Sequence, residues 1–190
     1  MGGMFAPPCS TFSPALFWTG PLRSVEEPWG KTSGLNELQL AKVTAANKVI
    51  QSVLEVVRAF DRAGIPWCLE NPASSLLWSL PLVRTLLSRP RSMRIVTDQC
   101  LYGRAWKKRT VLLIGNVEWS EGQRLARKCV GKCGVCDRTG RRHQILQGFA
   151  PNGRRWTEIA AEYPKMMAED LAFALTSQAF GAKINGRKLK

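Results

Sequence analysis

From Leu35 to Gly64 the apolar residues Leu38, Val43, Ala46, Val49, Val53, Val56, Val57 and Phe60 recur at three- and four-residue steps, and the stretch ends on a glycine. That periodicity predicts a long helix with one buried face, closed by a C′ glycine. Ile65-Pro66-Trp67-Cys68-Leu69-Glu70 follows at once, a short apolar run stopped by Asn71-Pro72, which reads as a buried strand ending in a turn. Ahead of the helix, Met4–Phe5 is an apolar stub running into Ala6-Pro7-Pro8-Cys9, where two prolines end any strand. A long loop rich in Pro, Gly and Ser fills the interval to about Ser33.

Beyond the strand, 74–87 suits one or two short helices broken at Pro81. Arg94–Thr97 and Thr110–Gly115 read as strands joined through a basic loop, 103–109. Thr157–Ala179 has the spacing of a terminal helix interrupted near Pro164. Strand, long helix, strand, helix, strands suits an open α/β sheet with ligands at the strand C-termini. Cys9 and Glu70-Asn71 both fall at such ends.

The charge of +14 is unevenly placed: residues 1–83 carry as many acids as bases, so the whole excess lies beyond them. A localised basic field points to a polyanionic partner, nucleic acid above all. No run approaches the roughly 18 consecutive apolar residues of a membrane span, and the N-terminus lacks the pattern of a secretory signal. The expectation is an intracellular protein of nucleus or cytoplasm, with no membrane partner.

Cys9 sits on a stiff, proline-flanked backbone at the rim where ligands would bind, and a thiolate there is a strong nucleophile. Glu70, partly buried by Trp67 and Leu69, suits a carboxyl kept protonated near neutrality that donates to a ring nitrogen. Taken singly, each residue fits a plain role equally well: a small buried thiol, a turn carboxylate. Together, Ala6-Pro7-Pro8-Cys9 with Ser13, Glu70-Asn71-Pro72, and the stretch Tyr102-Gly103-Arg104-Ala105-Trp106-Lys107-Lys108-Arg109-Thr110 stand in the order of the motifs of the DNA (cytosine-5) methyltransferases, which the chain resembles. It is closer to divergent methylase-like proteins with PPCSTFS, ENP and DQC-x-YG patterns, here Pro7 to Ser13, Glu70 to Pro72, and Asp98-Gln99-Cys100-Leu101-Tyr102-Gly103.

The resemblance implies a partial Rossmann-like α/β sheet, with Cys9 adding to C6 of a flipped cytosine, Glu70 serving N3 as acid and Asn71 ordering the turn. Methyl would come from S-adenosylmethionine, with Pro8 at the cofactor. Ser13, Arg104, Trp106, Lys107, Lys108 and Arg109 would face the nucleic acid, most naturally DNA, with Trp106 the candidate for base stacking. Where the family has Gln-x-Arg-x-Arg this chain has Trp106, Lys108 and Thr110, so a Lys point charge stands where an Arg fork is expected. The family orders its strands 3-2-1-4-5-7-6 and builds its cofactor site on the first three, starting from a Phe-x-Gly-x-Gly loop that is missing here. Met4–Phe5 would then be strand 4 at an open edge. The expectation is an N-terminally truncated catalytic half, inactive alone, which is either completed by a protein partner that supplies the missing strands or a truncated relic. The alternative is a non-catalytic, basic nucleic-acid-binding module on the same scaffold.

A second constellation is Cys129-x3-Cys133-x2-Cys136-x6-His143, which holds the only histidine of the chain. Four N/S ligands in a Gly-rich basic stretch suit zinc, and in a reducing compartment zinc is preferred over disulfides. A flexible basic loop with adventitious thiols fits the same spacing. If metal is bound, it pins Arg127, Lys128, Lys132, Arg138, Arg141 and Arg142 as a phosphate-binding face. Cys68 and Cys100 read as core residues. The organisation expected is a catalytic half over 1–120, a basic Cys/His segment over 121–150, a helical segment over 151–180 and a basic tail over 181–190.

Overall fold

The computed structural model describes residues 2–13 and 20–185, with side chains described as far as Ser177. Helix α1 (Glu37–Arg62) realises the apolar periodicity. Asn36 caps it: its side chain accepts from the Gln39 amide at 2.9 Å, and the Gln39 side chain accepts from the Asn36 amide at 3.0 Å. Two donors that would otherwise be orphaned at the helix start are thereby satisfied. Gly64 takes a φ of 67°, the left-handed residue that turns the chain out of α1.

Strands β1 (Gly3–Phe5), β2 (Trp67–Pro72), β3 (Ser92–Asp98) and β4 (Arg109–Gly115) make one open sheet in the order β1-β2-β4-β3. β1 and β2 are parallel, as the long α1 crossover between them requires, and β4 runs antiparallel to both β2 and β3. The class is mixed α/β, as the order of elements predicts. Short helices α2 (Pro81–Leu87) and α3 (Trp119–Arg124) follow β2 and β4, and no helix of the described residues is long and apolar enough to cross a membrane.

The sheet has a core on each face. Trp67, Leu69 and Leu113 pack against Ile50, Leu54 and Val57 of α1. On the other face Cys68, Leu112 and Ile114 pack against Met167, Leu171 and Leu175 of α5 (Lys165–Asn185). Strand periodicity therefore directs Glu70, two residues on from Cys68, to the α5 side, and Asn71 to the α1 side. Trp67 pairs with Gly115 across β2 and β4, and a Cβ on Gly115 would stand 2.2 Å from the indole, so no larger residue fits opposite it.

The break at Pro164 is present: α4 (Trp156–Ile159) ends before it and α5 begins after it. α5 runs on through Asn185, into the segment expected to be a tail; residues 186–190 lie outside the described residues. The Cys/His segment is stitched to the sheet rather than appended to it. The Asp98 amide donates to Arg127 O at 2.8 Å, and the Gln144 amide donates to Ala105 O at 2.9 Å.

Candidate metal centre and the neighbouring carboxyl-thiol cleft

Cys100, Cys129, Cys136 and His143 converge so that their four ligand atoms lie within 4.8 Å of one another, a group that can hold a metal ion. The three thiols are buried. His143 Nδ1 lies 2.9 Å from Gly134 O and donates to it, which leaves the Nε2 lone pair facing Cys129 Sγ at 3.7 Å. Fixing one ring nitrogen on a carbonyl so that the other is free to ligate is the usual outer-sphere arrangement of a metal-binding histidine. Burial, and then the neighbouring Cys129 and Cys136, push the Cys100 thiol up. Burial raises Cys136 as well, but the Thr139 and Arg138 amides, the Thr139 hydroxyl and His143 together bring it down to about 6. A packed trio of thiols of this kind needs a cation before all three can be charged.

The ligand set corrects the one read from spacing. Cys133, counted there as a ligand, is exposed; it has a φ of 53° and precedes Gly134 at φ 76°, so the two make a tight turn outside the group. Cys100, expected in the core, takes its place from 29 positions upstream of Cys129.

The segment Asp98-Gln99-Cys100-Leu101-Tyr102-Gly103 turns out to build this centre. Asp98, fully buried at the end of β3, accepts from Arg109 at 2.9 and 3.0 Å and from the Cys129 amide at 2.9 Å, which positions the second ligand. Gln99 Oε1 accepts from Trp106 Nε1 at 2.8 Å, and the Tyr102 hydroxyl donates to Leu125 O at 3.3 Å. Gly103, at φ 94°, ends the 3-10 turn that presents Cys100.

About the ends of β1 and β2 lies a second cluster. The Asn71 amide donates to Pro7 O at 3.0 Å, which ties the loop carrying Cys9 to the end of β2. The Asn71 Oδ1 atom is buried without a partner among the described residues. Glu70 is buried and accepts from the Tyr163 hydroxyl at 2.5 Å. Burial lifts the Glu70 carboxyl above its ordinary range, and the Tyr163 bond and the Lys108 charge only partly offset this. Burial also raises the Tyr163 phenol, with Glu70, Cys68 and Cys9 adding to the effect. Cys9 is half-buried, Pro8 is exposed, and Ser13 is half-buried.

The loop after Cys9 is held by a residue that the sequence did not mark. Arg23 is buried with no carboxylate partner among the described residues; its guanidinium donates to Thr11 O, Pro28 O and Asn47 Oδ1, and lies 3.7 Å from the Phe12 ring centroid. Burial brings it down to about 10.

Several residues expected at nucleic acid are occupied elsewhere. Trp106 is 5% exposed and hydrogen-bonded, so it offers no face for stacking. Arg109 is spent on Asp98, and Arg104 donates to Tyr163 O at 3.0 Å while lying over Trp106. In the expected phosphate face, Arg127 pairs with Asp170 and Arg138 donates to Cys100 O. Lys108 donates to Ala160 O at 2.8 Å. Lys107, half-buried, and Arg142, exposed, have no ion-pair partner among the described residues. Comparison with family models, with curated proteins and with solved structures found no match.

Proposed function

We propose that this chain is the base-activating half of a cytosine-C5 methyltransferase-like protein acting on nucleic acid, with a zinc centre bracing its basic side. The observation that carries the reading is the sheet order β1-β2-β4-β3, which corresponds to strands 4-5-7-6 of the expected fold, with the Cys9 loop and Glu70 at the ends of its two parallel neighbours. In this reading the Cys9 thiolate adds to C6 of an extrahelical cytosine and the protonated Glu70 carboxyl gives its proton to N3. Asn71 keeps the Cys9 loop in register through Pro7, and Arg23 stiffens the same loop from behind.

S-adenosylmethionine does not fit the described residues: β1 leads into Pro7-Pro8 and β2 ends on Asn71-Pro72, and neither opens a Gly-rich strand-to-helix turn. No transfer step is therefore derived for this chain. The outer edge of β1, unpaired among the described residues, is where the reading places a partner bearing the cofactor.

Zinc is favoured by donor chemistry and by distance. Zn–S near 2.3 Å and Zn–N near 2.0–2.1 Å at tetrahedral angles require an S···N edge of about 3.6 Å, and Cys129 Sγ stands 3.7 Å from His143 Nε2.

The test of the base chemistry uses an oligonucleotide carrying pyrimidin-2-one, which lacks the exocyclic amine and accepts a thiolate at C6 without any methyl donor. Intact-mass analysis is expected to show an adduct with the native chain and none with Cys9→Ser. No adduct with the native chain, or an adduct in Cys9→Ser, overturns the proposal. One observation favours the alternative of a non-catalytic binding module: the Tyr163 hydroxyl already occupies Glu70.

A further inference from the structure

A cleft of about 390 Å³ separates the loop carrying Lys107 and Lys108 from the chain that leaves the metal centre at Arg142, His143 and Gln144. No carboxylate lines it among the described residues. Among the described residues Lys107 and Arg142 have no acidic partner, whereas Arg109 and Arg127 are each paired with an aspartate. The walls are fixed from both sides. His143 is a member of the metal group, and the Gln144 amide on Ala105 O joins the two segments.

We infer that this cleft seats a phosphodiester of a nucleic-acid strand, gripped by the Arg142 fork and the Lys107 ammonium. The inference deepens the nucleic-acid reading above and rests on it. An unneutralised fork beside a point charge, in a gap free of acids, matches a tetrahedral oxyanion better than any neutral ligand.

The experiment is fluorescence anisotropy of zinc-loaded full chain with labelled DNA and RNA oligonucleotides of one sequence, over a salt series. Each lost phosphate contact removes about 0.9 from the slope of log K against log salt on duplex DNA, and about 0.7 on a single strand. Lys107→Ala/Arg142→Ala, which removes the grip on that one phosphodiester, is therefore expected to lower the slope on the duplex by about 0.9, and to weaken binding about 5-fold at 0.15 M salt on the same relation. Lys42→Ala/Lys48→Ala, two cations of α1 outside the cleft, is expected to leave both unchanged. Zinc content equal to the native chain's shows that the cleft variant keeps its fold. If the cleft variant matches the native slope, or the α1 variant loses as much, the cleft is overturned while the nucleic-acid reading stands. If the native chain binds neither oligonucleotide at 50 mM salt, the nucleic-acid reading itself falls. The two native affinities decide whether the phosphodiester belongs to DNA or to RNA.

Discussion

Cys100→Ser and Cys133→Ser separate the two ligand sets. The structure places Cys100 inside the group and Cys133 in the exposed turn, so only the first substitution is expected to remove the metal. A ligand that binds only the folded state stabilises it by RT ln(1 + [L]/Kd), about 2.7 kcal/mol at one hundred times Kd. For a chain of 190 residues, a kcal/mol corresponds to about 2–4 °C in Tm. Chelation of the native chain or of Cys133→Ser should therefore lower Tm by about 5–11 °C from that loading. Cys100→Ser should bind little zinc and show almost no chelator-dependent shift. The assays are zinc stoichiometry by elemental analysis and thermal melts with and without chelator. Zinc retained at full stoichiometry by Cys100→Ser, or lost by Cys133→Ser, refutes the geometric assignment.

Two further outcomes test the supports of the sites. Because the Glu70 carboxyl is raised in the fold, its stability contribution is fully present below about 4.5 and is lost as pH rises through the folded value. Glu70→Gln should therefore gain in Tm relative to the native chain as pH is raised from 4.5 towards neutrality, and a difference that stays flat with pH contradicts the buried-acid assignment. Arg109→Ala leaves the Asp98 carboxylate buried with only the Cys129 amide of its donors. A fully buried broken pair costs about 3–5 kcal/mol, and with the arginine side chain 48% exposed the cost should fall to about 1–3 kcal/mol. Urea unfolding of the metal-loaded protein measures it, and a loss below a few tenths of a kcal/mol would show that Asp98 finds its compensation elsewhere.

Local pattern was sufficient wherever the physics is local. The apolar spacing of α1 and its closing glycine, the run at β2, the proline break between α4 and α5 and the charge asymmetry each depend on neighbours within a few residues. The candidate metal group crosses the boundary drawn at position 120: Cys100 comes from the turn after β3, and the other three residues come from the Cys/His segment. Spacing counted cysteines along the chain and so preferred Cys133. It had no term for a left-handed turn that points Cys133 away, nor for the buried Asp98 that draws the Cys129 amide towards β3.

The sequence by itself determined an α/β chain with a neutral first half and a basic remainder, and it marked Cys9, Glu70 and Asn71 as the residues with chemical character. The fold class and the charge distribution follow from periodicity and composition, whereas the three residues stand out through the motif resemblance. The tertiary structure alone decided which thiols share a site, that Tyr163 meets Glu70 across 93 positions, and which cations remain unpaired. Such facts depend on where distant segments are brought by packing on the two faces of one sheet. Long-range contact of that kind leaves no period in the chain from which it can be read.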